Sequence, residues 1–143
     1  MIKYLYVVNN RGELRLVRYY KHYSAEERQQ LQTDVIKLCL TRGQDQSTIL
    51  DYEDYTVVFQ KFSNTVFIAG ITQDENELAI LGLFRHICET LNKYLGSLTE
   101  LHFIFNLDKV HMVLDEMILN GYIAETSQAR ILAPLQLLTS AKK

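Results

Sequence analysis

The chain reads as one α+β domain in which an antiparallel sheet is set against helices. Three observations predict this. Short runs rich in Tyr, Val, Ile and Phe occur at the N-terminus and again in the middle of the chain, separated by turn residues. Longer runs between and after them carry apolar residues at helical spacing. The resulting order, β-β-α-β-β-β-α-α plus a tail, joins strands by tight turns and leaves helices to cover the sheet.

Residues 2–8 (IKYLYVV) read as the first strand. Asn9-Asn10-Arg11-Gly12 supplies a tight turn from residues that tolerate positive φ. Residues 13–20 return as a second strand. Strand alternation puts Leu14, Leu16 and Arg18 on one face and Arg15, Val17 and Tyr19 on the other. Ser24 and Glu27 have the spacing of a capping box, so a helix starts there and runs to about Leu40. Leu31, Val35 and Leu38 form its stripe, flanked by Ile36 and Leu40. Residues 41–48, which include Gly43, are polar and read as a loop. Residues 49–53 read as a short strand, 55–62 (YTVVFQKF) as a longer one, Ser63-Asn64 as a turn and 65–71 (TVFIAGI) as the next strand. Val57-Val58-Phe59 breaks the alternation, which predicts cover on both faces.

Asp74, Glu75 and Glu77 suit the positive end of a second helix, which runs to about Leu95, before Gly96. Leu78, Leu81, Phe84, Cys88, Leu91 and Leu95 make one stripe; Ile80, Leu83, Ile87 and Tyr94 make another. Such a wide apolar surface fits either a central helix covered within the fold or a helix that also lines a partner interface or ligand groove. A third helix spans about Leu107 to Leu119 and is stopped by Asn120-Gly121. A short last helix is expected around Ser127 to Leu132. Pro134 then leaves the final LQLL as a strap or tail.

With 143 residues, 48% apolar and 22% charged, the chain suits a single folded domain over 1–143. Fifteen basic and 17 acidic side chains give a net charge of -2, without the basic excess of a nucleic-acid groove. The apolar run in MIKYLYVVNN is too short for a signal peptide or a membrane span, and no lipidation signal is present. The expectation is a cytosolic protein that meets membranes only through partners. Cys39 and Cys88 fall in apolar helical runs, as buried thiols do.

Chemistry is thinly represented. The sequence has no phosphate loop, dinucleotide fingerprint or nucleophile elbow. His111 and Asp115 share a helix face beside Glu116, but no further ligands follow at a metal-site spacing, so they read as a surface polar pair. Cys88 with His86 or His111 could be drawn as thiol and base, yet a thiol on an apolar stripe is by default inert. The reading is non-enzymatic, without metal or cofactor. Arg15 admits two readings: a solvated strand arginine, or a fixed fork that receives a carboxylate beside an apolar pocket. Asp51, Glu53 and Asp54 read as a solvated loop edge, and Asp108 as a favourable charge in the first turn of the third helix.

The chain resembles the small (sigma) chains of the heterotetrameric adaptor protein complexes of vesicle coats. The resemblance covers its whole length. Matching features are Met1-Ile2, Asn9, Gly12, Arg15-Leu16, Tyr19-Tyr20, Asn76-Glu77 and Glu100-Leu101, and above all FNLDKVHMVLDEMILNGYIAETSQARILAPL from Phe105 to Leu135. LDKVH and ARILAPL look most like the small chain of the fourth adaptor complex, which acts at the trans-Golgi network without clathrin. The resemblance implies a longin-like fold, a five-stranded antiparallel sheet flanked by helices, and no catalysis. It implies packing against the N-terminal trunk of a large subunit, within a heterotetramer that includes a medium and a second large subunit. It places the protein on the cytosolic face of trans-Golgi network or endosomal membranes. It also implies recognition of acidic dileucine signals in cargo tails. Arg15 matches the basic residue that receives the acidic part; Thr65, Cys88, Leu98 and Phe103 match positions around the apolar pocket. Thr65 stands where cargo-reading members carry leucine, and Cys88 where they carry valine. The alternatives are a free longin-type regulatory module, which would be followed by a coiled coil and an anchor not found before Lys143, or a subunit of another coat or tethering complex.

Overall fold

The computed structural model describes residues 1–42, 48–62, 64–95 and 105–124. Five strands form one antiparallel sheet: β1 (Ile2–Asn9), β2 (Leu14–Tyr19), β3 (Ile49–Tyr52), β4 (Tyr55–Phe62) and β5 (Thr65–Ile71), in spatial order β2-β1-β5-β4-β3. The N-terminal strand is therefore central, with every residue from Ile2 to Asn9 buried. Helix α1 (Ala25–Leu40) covers one face; α2 (Glu77–Leu95) and α3 (Leu107–Met117) cover the other. This is the α+β, five-stranded architecture that the resemblance implies. The loop around Gly43, the end of α2 at Gly96, the last helix from Ser127 to Leu132 and the tail after Pro134 lie outside the described residues.

The two cores differ in chemistry. The α1 face is built on tyrosines: Tyr4, Tyr6, Tyr23 and Tyr55 pack with Val57, Ile68, Val35 and Cys39. Tyr4 stacks on Tyr6 at 4.7 Å between centroids. The hydroxyls satisfy one another in pairs, Tyr4 with Tyr55 and Tyr6 with Tyr19, each 3.0 Å apart. A buried phenol requires such a partner. The opposite face is aliphatic and phenylalanine-rich, with Phe62, Phe67 and Phe84 in successive contact at 5.6 and 5.7 Å. Val57 belongs to the first core and Val58 to the second, which explains the broken alternation in β4. Cys39 and Cys88 are buried free thiols.

The capping box at the start of α1 forms as the spacing requires: Ser24 Oγ accepts from the Glu27 amide, and the Glu27 carboxylate accepts from the Ser24 amide. Three expectations need correction. In β2 the register slips, Val7 pairing with Leu16 but Val8 with Leu14. Arg15 is the extra residue of a β-bulge, and the slip sends Leu14 to the tyrosine core and Leu16 to the phenylalanine core rather than to one face. At α2, only Glu77 lies in the first turn. Asn76 caps the helix through its side-chain oxygen, while Asp74 and Glu75 lie 3.7 and 3.9 Å from the N-terminal amine. Helix α3 stops at Met117. Asn120-Gly121, both at positive φ (51° and 87°), turn a two-residue hairpin between β6 (Ile118–Leu119) and β7 (Tyr122–Ile123). Asn-Gly is the favoured type I′ turn, and here that use prevails over helix termination.

Much of both stripes of α2 is buried inside the fold. Ile80, Leu83, Phe84, Ile87, Cys88 and Leu91 are all buried against the sheet and α3. The width of this helix's apolar surface thus reflects two internal neighbours. Leu81 and Tyr94 are half-buried, and Leu78 is 73% exposed.

Candidate functional site

The first hairpin positions Arg15. Asn9 organises its turn: Asn9 Oδ1 accepts from the amides of Arg11 and Glu13, and Gly12 takes a φ of 85° that a side chain would resist. The bulge then interrupts β2, so Arg15 leaves the regular alternation that would have fixed its direction. Its side chain is 21% exposed, with a guanidinium nitrogen 3.5 Å from Glu13 Oε2; the other oxygen of Glu13 lies 2.7 Å from Arg11 Nε. Glu13 therefore holds a carboxylate between two arginines, the geometry that an incoming carboxylate would also use.

Thr65 opens β5, paired with Asn9 on one side and Phe62 on the other. It shares a face with Phe67, in the phenylalanine core, and is 6% exposed. Cys88 sits on α2 one turn beyond Phe84, whose ring contacts Phe67. Strand β5 rises from Thr65 to Ile71, and α2 then returns across the same face. Thr65 lies at the end of the sheet that carries the Asn9 turn and Arg15, and Cys88 packs in the core of the face that α2 covers. Cys88 is 6% exposed, and burial pushes its thiol up to about 12, with Glu89 adding in the same direction. It is a neutral, apolar side chain and not a nucleophile. Leu98 and Phe103 lie outside the described residues.

The His111–Asp115 pair proves to have a third member that sequence spacing did not reveal. Arg18, on β2, donates to the His111 carbonyl at 3.2 Å and to Asp115 Oδ1 at 2.5 Å, and lies 3.5 Å from His111 Nδ1. The arginine fastens α3 to the edge strand. Burial, followed by the Arg18 charge, lowers the His111 pKa; Asp115 acts against them. Arg18 was placed on the correct face by alternation with Leu16, but no local motif marks a partner 97 residues away.

A protein-family model described as clathrin adaptor complex small chain matches residues 1–142. The AP-4 complex subunit sigma-1 of Homo sapiens is 43% identical over 96% of both chains. The AP-4 complex subunit sigma of Arabidopsis thaliana is 39% identical over 98% of each. In three dimensions, a chain from a homology model of the full-length AP-3 complex in a stretched open conformation superimposes with a TM-score of 0.76 at 27% identity, covering 99% of this chain and 95% of that one. The same order of elements over nearly the whole length supports a common longin-like fold. By family match and by full-length similarity to sigma subunits, the chain belongs to the clathrin adaptor complex small chain family.

Proposed function

We propose that the chain is the small subunit of an AP-4-like adaptor complex acting in vesicle-mediated intracellular protein transport. The observation that carries this reading is the family match over residues 1–142 together with end-to-end similarity to AP-4 sigma subunits. In this reading the whole chain, 1–143, is one domain whose work is assembly. It stabilises the complex core by packing on the N-terminal trunk of a large subunit, beside a medium and a second large subunit. It performs no catalysis and needs no cofactor. It meets the cytosolic face of trans-Golgi network or endosomal membranes only through the complex; no helix among the described residues is long and apolar enough to cross a membrane.

A finer part of the proposal concerns cargo. Arg15 receives the acidic residue of a dileucine signal, and Thr65, Cys88, Leu98 and Phe103 surround its two apolar side chains. Support comes from the bulge that sets Arg15 apart beside Glu13, at the end of the sheet where Thr65 pairs with Asn9. Thr65 and Cys88 are both covered in this state, so entry of two leucines requires part of that cover to move. The test is binding of an acidic dileucine peptide to the assembled complex. Arg15→Ala is expected to weaken it about tenfold or more, the worth of one charge-assisted bond. Equal binding by the variant, or none by the unmutated complex, would leave the subunit with an assembly role alone.

A further inference from the structure

A second bulge re-aims a second cation, and its surroundings point to a ligand. In β1, Ile2 pairs with Ile71 but Tyr4 pairs with Gly70, which makes Lys3 the extra residue. Its side chain reaches the tyrosine side of the sheet, where the ammonium lies 4.0 Å above the Tyr55 ring. Lys3 is only 7% exposed, and among the described residues no carboxylate comes within 4.0 Å of it. A buried charge ordinarily keeps a counter-charge. The charge that weighs most on Lys3 is another cation, Lys21, whose own ammonium lies 5.6 Å over the Tyr23 ring. The backbone fixes this proximity, because the Lys3 carbonyl accepts from the Tyr20 and Lys21 amides at 2.9 and 3.3 Å. Beside them, the Tyr23 hydroxyl is buried and has no hydrogen-bond partner among the described residues.

All three side chains line one cavity of about 300 Å3, between the start of α1 and the β3–β4 turn. We propose that Lys3, Lys21 and Tyr23 form a binding site for a compact oxyanion, a phosphate group. The cavity wall offers two ammonium groups that repel each other and a hydroxyl without a partner. An anion between them would relieve the repulsion and satisfy the donors. Burial and then the Lys21 charge lower the Lys3 pKa, and the attraction of Asp54 and Glu53 ranks behind both. Four carboxylates also border the cavity. Glu27 accepts from the Ser24 amide and Asp34 from Gln30, and both keep their charge; all four carboxylates are exposed around the cavity. All four oppose an anion, so the two ammonium groups must outweigh them at close range, and neutralising one carboxylate should strengthen binding.

The experiment titrates the full chain with inorganic phosphate at fixed ionic strength, following thermal midpoint and chemical shifts. The expected result is saturable binding that weakens about tenfold or more in Lys21→Gln, an exposed position, and in Lys3→Met, which keeps the side-chain length. Asp54→Asn is expected to tighten it. A parallel arm compares phosphatidylcholine vesicles with and without a phosphoinositide. Vesicle binding lost in Lys21→Gln assigns the phosphate to a lipid headgroup, and binding of soluble phosphate alone assigns it to a free ligand; either upholds the site. Absence of saturable phosphate binding, or binding unchanged in both lysine variants, overturns it.

Discussion

Gly70→Ala tests the tyrosine core most sharply. Gly70 lies on β5 opposite Tyr4 of β1 and Val57 of β4. A Cβ built there would stand 2.4 Å from Tyr4 Cζ, 2.5 Å from Cε1 and 2.8 Å from the hydroxyl oxygen. These are rigid ring atoms of a side chain with no exposure, held by stacking on Tyr6 and by the bond to Tyr55. The ring must move. Overpacking of this kind costs about 1–3 kcal/mol. Loss of the Tyr4–Tyr55 hydrogen bond adds about 1 kcal/mol. The expected destabilisation is therefore about 2–4 kcal/mol, read by urea denaturation of the purified chain with an unchanged m-value. If the Tyr4 ring is the cause, the same alanine placed in a Tyr4→Leu background should cost at least about 1 kcal/mol less, a coupling that neighbouring sites show and distant ones do not. A Gly70→Ala cost below about 0.5 kcal/mol, or strict additivity in the double variant, would refute the reasoning.

The Arg18 clamp predicts a coupling of about 0.5–1 kcal/mol between Arg18→Met and Asp115→Asn in a double-mutant cycle, modest because Asp115 is largely exposed. No coupling would mean that the pair does not fasten α3. His111, with a lowered folded-state pKa, binds its proton less readily folded than unfolded. Its stability contribution is whole above the ordinary value of 6.5 and falls away as pH drops from there through the folded pKa. His111→Gln should flatten that part of a stability–pH curve, and an unaltered curve would count against the assignment. Burial pushes both cysteine thiols up to about 12. Neither Cys39 nor Cys88 should react with a thiol reagent in the native chain at pH 8, while both should react in denaturant. Rapid native labelling of either would contradict the burial described for it.

Local patterns carried most of the fold. Ser24 and Glu27 announced the first helix because a capping box is a contact between residues three apart. The hairpins were legible for the same reason, since turn residues and flanking strands are neighbours in sequence. What escaped were features set by pairing across the sheet. The bulges at Lys3 and Arg15 arise from mismatched register with β5 and with the return of the first hairpin, and neither residue type marks a bulge by itself. The Asn120-Gly121 pair suits both a helix end and a type I′ turn; pairing of Leu119 with Tyr122, together with the bond from the Ile2 amide to the Gly121 carbonyl, decides between them. The clamp by Arg18 and the cavity under Lys3 join distant segments, so spacing alone could not reveal them. For the cargo-site positions, resemblance supplied the identities, and the structure adds that Arg15 stands in a bulge and that Thr65 and Cys88 are covered.

The central claim is membership of an adaptor complex, and purification of the tagged chain from cytosol tests it most directly. Mass spectrometry of the co-purifying proteins is expected to find two large adaptor subunits and one medium subunit in equal amounts with the chain. Recovery of the chain as a stable monomer, with no affinity for a large-subunit trunk when the two are co-expressed, would contradict the account.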